Sequence, residues 1–349
     1  MRKFDYTFLK KISVPADIMN SATSIYEMKA KAELRRTDFA DVFSAMESVA
    51  KIQSVKSSNA IEGIITTDKR IRDIVNKSTA PQGHNELEIA GYRDALDLIH
   101  GSYSDIPFSE KSILELHRIL LQPSGDDLAG RYKTEDNFIM ETDREGVRSV
   151  RFTPVPASET AFAMEQLILA YHAAYSDAEI NPLMLIPCVI LDLLCIHPFR
   201  DGNGRMSRLL SLLLMYKSGF NAGKYVSIEE QINTYKNYYY TSLQKSSERW
   251  HENDNNYFPF IGNFLFNLKM SYFELDSRFA SLKDRKITKK QRIEELVTGS
   301  LLPVSKREIC EKLPDISVTT VEAELARLLK SGRIEKIGNG RGTVYRSCR

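Results

Sequence analysis

Residues Leu183 to Cys195 constrain the fold more than any other stretch, because they are apolar nearly all round. A helix of that composition has no face to give to water, so it belongs at the centre of a bundle of other helices. Pro187 and Asp192 interrupt the run, and even with Ile196 it falls short of a membrane span. Around it, Ala40–Ser57, Glu86–His100, Ser109–Leu121 and Ser158–Ser176 each place apolar residues at three- and four-residue spacing. Gly202–Gly219 adds Leu209, Leu210, Leu212, Leu213 and Leu214. The expected class is mainly α. One segment departs from the pattern: 130–154 holds short extended runs, Asn137–Glu141 and Val147–Phe152, about a polar turn at Asp143–Gly146, which is hairpin chemistry.

The grammar changes again after the charged stretch Lys283–Lys290, which follows a last amphipathic helix ending near Leu282. Gln291–Thr298 reads as a helix, Ser305 as the N-cap of Lys306–Lys312 with Glu308 completing a capping box, and Ser317 as the start of Val318–Ser331. Gly332 ends that helix, and Arg333–Ile337 and Thr343–Arg346 read as strands around Asn339–Gly342. Three helices followed by a hairpin is the order of a small α/β winged-helix domain. At 349 residues the chain is long enough for two or three domains.

Composition excludes little. A net charge of +2 does not call for nucleic acid, so any such case rests on a local patch. Cys188, Cys195, Cys310 and Cys348 lie far apart with no Cys-x-x-Cys pair, which argues against a zinc site or disulfide framework. No apolar run that could serve as a signal peptide follows Met1, and the expectation is a cytoplasmic protein without membrane contact.

The chemistry concentrates in 197–208. Gly202, Asn203 and Gly204 lie between the apolar helix and the next one, and a glycine turn entering a helix N-terminus aims free N–H groups at an anion. Arg205 and Arg208 emerge from the first turn, where two guanidiniums can take separate phosphates. Asp201 offers the lone carboxylate that suits Mg²⁺ beside phosphates. His197 has a pKa near working pH and can take a proton from a hydroxyl. Phe199 reads as the loop's anchor in the core.

These residues match the motif HxFx[D/E]GNGRxxR, and the chain resembles the Fic family at every specified position. The resemblance implies a Fic-type helical bundle with a β-hairpin flap and transfer of AMP from ATP, with Mg (or Mn), to a Ser, Thr or Tyr hydroxyl of a protein. It makes His197 the base, Asp201 the metal ligand, Gly202, Asn203 and Gly204 the anion cradle, and Arg205 and Arg208 the phosphate holders. Phosphotransferring relatives of the Doc type carry lysine where this chain has Gly204, so the glycine favours adenylyl transfer. Residues 130–154 resemble the family's flap, whose edge takes the target as an added strand. Tyr225–Lys245 and Trp250–Phe260 resemble its closing helices, with Asn237, Tyr238, Tyr239 and Tyr240 as candidates around the adenine. The implied division is an N-terminal helical region at 1–105, a catalytic domain at 106–282 and a winged-helix domain at 283–349.

A second motif closes a helix at Ser58–Gly63: Ser58 and Glu62 share a face and Gly63 is a suitable stop. It resembles the family's inhibitory motif [S/T]xxxE[G/N], which implies a Glu62–Arg208 pair that keeps the γ-phosphate out. Self-modification, and removal of AMP with Glu62 positioning a water, stay open beside forward transfer. So do another nucleotide donor, a homodimer, and a DNA-binding regulator whose Fic domain is a sensor. In the C-terminal module Arg327, Lys330, Arg333, Lys336, Arg341 and Arg346 favour DNA contact, Glu322 and Glu324 weaken it, and a protein partner is the alternative.

Overall fold

The computed structural model describes residues 2–142, 146–280, 288–300 and 303–348. Five helices lead: α1 (Ala16–Asp38), α2 (Ala40–Ile61), α3 (Asp68–Val75), α4 (Gly83–Ser102) and α5 (Glu110–Leu121). A hairpin of β1 (Ile139–Thr142) and β2 (Arg148–Phe152) follows, then α6 (Ala157–Tyr175), α7 (Pro182–Ile196) and α8 (Asn203–Lys217). The helical part closes with α9 (Ile228–Thr234), α10 (Lys236–Ser247) and α11 (Phe258–Ala280). The C-terminal module is α12 (Lys289–Thr298), β3 (Val304–Ser305), α13 (Lys306–Lys312), α14 (Val318–Lys330), β4 (Ile334–Ile337) and β5 (Val344–Ser347). The mainly α expectation holds.

Helix α7 is the centre the sequence demands. Asn181 caps it by accepting the Leu183 N–H at 2.9 Å, Pro182 fills the first position, and every residue from Leu183 to Ile196 is buried. Helices α6, α8 and α11 pack around it. Apolar side chains from both sides of residue 105 enter one core that runs from Tyr6 to Phe279, so the N-terminal helices and the catalytic region share their packing. Among the described residues no helix is long and apolar enough to cross a membrane.

Asp192, the one carboxylate inside α7, is surrounded by donors. It accepts from Trp250 Nε1 at 2.7 Å, Tyr6 Oη at 2.8 Å and Tyr257 Oη at 3.0 Å, with Arg2 at 3.5 Å. Burial still pushes its carboxyl above the usual range, against the pull of Arg2 and these donors. The cluster pins the N-terminal segment and the 250–257 segment to the central helix. Asp192→Ala strands those donors and is expected to lower stability by about 3–5 kcal/mol. Urea unfolding measures this, and a loss below about 1 kcal/mol contradicts the assigned role.

The C-terminal module has its own core, from Ile293 to Ile334. Its sheet runs in the order β3-β5-β4, all antiparallel, and the expected Ser305–Glu308 capping box forms. A second box, Thr288 with Gln291, starts α12 two residues before the expected Gln291. Strand β3 has two residues, too few to carry an alternating pattern. The hairpin of β1 and β2 forms as expected, with pairs from Met140↔Val150 to Thr142↔Arg148; of the expected turn, residues 143–145 lie outside the described residues.

Candidate active site

Helix α7 ends at His197, which takes the left-handed conformation at φ 52, ψ 60. This conformation costs a residue with a Cβ about 1–2 kcal/mol, and it turns the chain out of the buried helix into the loop. His197 Nδ1 lies 3.3 Å from the Leu194 carbonyl. A carbonyl only accepts, so Nδ1 carries the proton and Nε2 keeps its lone pair for a substrate. Burial, with Lys133 nearby, pulls the ring's pKa down to about 4. The neutral base form therefore persists through the neutral range and is lost only as pH falls through the folded value. If the site turns over a substrate, kcat/KM is expected to show no inflection near 6.5 and an acid limb near pH 4; an inflection near 6.5 contradicts this assignment.

Asn203 shapes the loop with its side chain. Oδ1 accepts the Phe199 N–H at 3.0 Å and Nδ2 donates to the Phe199 carbonyl at 2.8 Å. Gly202 then adopts φ 80 as the N-cap of α8. The first-turn N–H groups of Asn203, Gly204 and Arg205 have no acceptor within the helix and form the positive end of its dipole. The cradle is thus backbone, held in shape by an amide side chain and by Phe199, which is fully buried.

The two arginines part company. Arg208 is buried, with Nε donating to Ser58 Oγ at 2.8 Å and Nη2 donating to the Ser58 carbonyl at 3.0 Å and to Glu62 Oε1 at 2.7 Å. Arg205 is 1% exposed, paired with Glu88 at 2.5 Å and Asp201 at 3.2 Å, and does not line the cleft. Its guanidinium ties Glu88 of α4 to Asp201 of the loop. Sequence reasoning missed Glu88, one of four acids on α4, with no local signal to single it out.

Glu62 is delivered by a helix stop. Gly63 at φ 81 donates to the Ala60 carbonyl and Ile64 to the Asn59 carbonyl, the paired bonds of a Schellman ending. That ending aims Glu62 at the N-terminus of α8. A Cβ on residue 204 would stand 2.3 Å from Glu62 Oε1. Gly204 is therefore the only residue type that leaves room for the carboxylate where it lies.

An open cleft of about 200 Å³ joins these groups. Glu62, His197, Gly204 and Arg208 line it together with Tyr239, Tyr240, Leu243 and Ser247 from α10. Of the aromatic cluster, Tyr239 and Tyr240 face the cleft, whereas Tyr238 packs on Phe266 and Asn237 is exposed. Ile139, Arg151 and Phe152 bring the flap over it. Arg151 was not legible in the sequence, since an alternating strand carries no mark of which face meets a ligand. On the flap Phe138, Met140 and Val150 are about half exposed, beside the unpaired edge of β1.

Residues 107–215 match the Fic/DOC family. Protein adenylyltransferase fic-1 of Caenorhabditis elegans is 31% identical over 194 residues, 54% of this chain and 33% of the relative. Protein adenylyltransferase Fic of Nematostella vectensis is 31% identical over 179 residues, 49% of this chain and 39% of the relative. The chain thus spans between a third and two fifths of the length of these curated relatives. Among solved structures, a Fic family protein from Desulfovibrio desulfuricans G20 aligns over 97% of both chains with a TM-score of 0.63 at 19% identity. Fic-1 from C. elegans aligns over 76% of this chain and 75% of that one, with a TM-score of 0.57 at 22% identity. The sequence match and the shared fold agree: residues 107–215 match the Fic/DOC family, and the chain has the fold of the Fic proteins with which it aligns.

Proposed function

We propose that the protein transfers AMP from ATP to a Ser, Thr or Tyr hydroxyl of a protein, and that Glu62 holds the site off at rest. The observation that carries this reading is the Glu62–Arg208 bond at 2.7 Å, made in the space that Gly204 leaves beside the anion cradle. Transfer needs a base with a free lone pair, which His197 Nε2 supplies. The target oxygen bonds to the α-phosphorus, the bond from that phosphorus to the bridging oxygen breaks, and pyrophosphate leaves. The proton of the hydroxyl goes to His197. The N-terminus of α8 and Arg208 bind the phosphates, and Arg208 can do so only when Glu62 is elsewhere.

A divalent cation such as Mg²⁺ or Mn²⁺ fits Asp201, whose side chain is 62% exposed beside the cradle and whose neighbour Arg205 is also held by Glu88. Among the described residues no cluster of three or more His, Cys, Asp or Glu could hold a metal, so phosphates and water would complete the shell. The ion would offset charge on the phosphates. The flap edge at β1 suits a target segment added as a strand.

The C-terminal module, read as a winged helix, suits a protein partner better than DNA. Arg327 pairs with Glu324 and Glu294, Arg333 with Glu294, and Arg346 with Glu335, so these cations are already committed. A gel shift that collapses steeply with added salt would reverse that preference. The transfer itself is tested by intact mass. Glu62→Gly protein incubated with ATP and Mg²⁺ should gain one AMP on a hydroxyl residue, and the absence of any adduct on itself or on lysate proteins refutes the reading.

A further inference from the structure

His117 lies on α5, 1% exposed, and touches both the flap root and the cradle loop. Its ring stacks on Phe199 with centroids 3.7 Å apart and planes 7° from parallel. Nδ1 accepts the Gly130 N–H at 3.0 Å, and Nε2 lies 3.1 Å from the Asp201 carbonyl. An N–H only donates and a carbonyl only accepts, so one neutral tautomer satisfies both: bare Nδ1, protonated Nε2. A doubly protonated ring would break the Gly130 bond.

The two partners are the root of the flap and the last peptide before the cradle. Gly130 adopts φ 77, and a Cβ there would stand 2.9 Å from Arg118 Cβ, so the chain turns hard against α5 as it enters the flap. From that root the stem reaches back to the loop. The Lys133 N–H donates to the Pro198 carbonyl at 2.9 Å, Lys133 Nζ to Ile196 at 3.3 Å, and Asn137 Nδ2 to Phe199 at 3.0 Å. On the other side, the Asp201 carbonyl fixes the peptide that leads into Gly202, whose φ of 80 sets the start of α8.

We propose that His117 is a positioning residue that fixes, through one imidazole, the pitch of the anion cradle and the seat of the flap. The inference rests on the adenylyl-transfer reading for its purpose, but its geometry stands without it. The two bonds can be separated. In His117→Asn the amide oxygen replaces Nδ1, keeping the Gly130 acceptor and losing the donor to Asp201. In His117→Gln the amide nitrogen replaces Nε2, keeping that donor and losing the acceptor.

Both variants are made in the Glu62→Gly chain, where Arg208 is free, and read by ATP titration calorimetry with Mg²⁺ and by amide exchange of the Gly130 peptide. Loss of one hydrogen bond corresponds to roughly a 5- to 10-fold effect. His117→Asn should bind ATP about that much more weakly with Gly130 still protected. His117→Gln should bind ATP as the parent does, with Gly130 exchanging about that much faster. A general structural role would move both readouts in both variants, and that result overturns the proposal, as does parental behaviour in both. If one variant fails to fold, the other still decides by its own pair of readouts. If the Glu62→Gly parent binds no ATP, the adenylyl-transfer reading fails, and exchange at Gly130 alone tests His117.

Discussion

Replacing Glu62 with glycine is expected to raise the rate of AMP transfer, self-modification included, about 10- to 100-fold. The Glu62–Arg208 bond joins two charged groups at 2.7 Å, and such bonds contribute about 1.5–3 kcal/mol. With Glu62 present, a phosphate competing for Arg208 must break that bond and displace the carboxylate from beside Gly204. With glycine, both obstacles go. Arg208 should keep its place, because Ser58 holds it through its hydroxyl at 2.8 Å and its carbonyl at 3.0 Å. The guanidinium is then pre-oriented and free to bind an anion. Incorporation from labelled ATP measures the gain, and equal incorporation by wild type and variant removes the brake from the account.

In the same unbraked chain, His197→Ala is expected to lower the transfer rate by about 10²–10⁴-fold while leaving ATP affinity within a few-fold. The base acts on the incoming hydroxyl, whereas the phosphates are bound by backbone N–H groups and Arg208. Alanine keeps the Cβ, so the left-handed strain at the end of α7 stays as it is. Calorimetry for binding and single-turnover transfer for rate separate the two effects. A loss of ATP binding equal to the loss of rate would assign His197 to the binding site instead.

How far the sequence carried the account differs between elements. The centre of the fold was legible because α7 has no polar face, and a fifteen-residue helix with Asp192 as its one charged residue has one place to go. The loop 197–208 was legible because its chemistry is local: base, carboxylate, glycines and arginines stand within one turn and one helix start. The Glu62 contact was legible through the resemblance, since nothing in residues 58–63 alone says that the carboxylate meets a side chain far along the chain. Helix α1, which buries Ile18, Ala22 and Ile25, escaped because its apolar spacing is sparse. Helix α3 escaped because it is eight residues long.

The site's supports were illegible for a common reason. Glu88, His117 and Lys133 act through partners brought close only by the fold, and Arg151 meets the cleft only through it. Arg205 shows the same limit from the other side. Its place in the motif suggests a phosphate contact, yet its guanidinium faces α4, where Glu88 provides a buried counter-charge. Sequence spacing gives the face of a helix, and packing decides what that face meets.

The braked transfer of AMP is tested most directly by one comparison of initial rates, wild type against Glu62→Gly, with ATP labelled at either the α- or the γ-phosphate. It predicts protein-bound label from the α-position only, with the variant faster than wild type by at least about 10-fold. Label retained from the γ-position, or equal α-label in both chains, would contradict it.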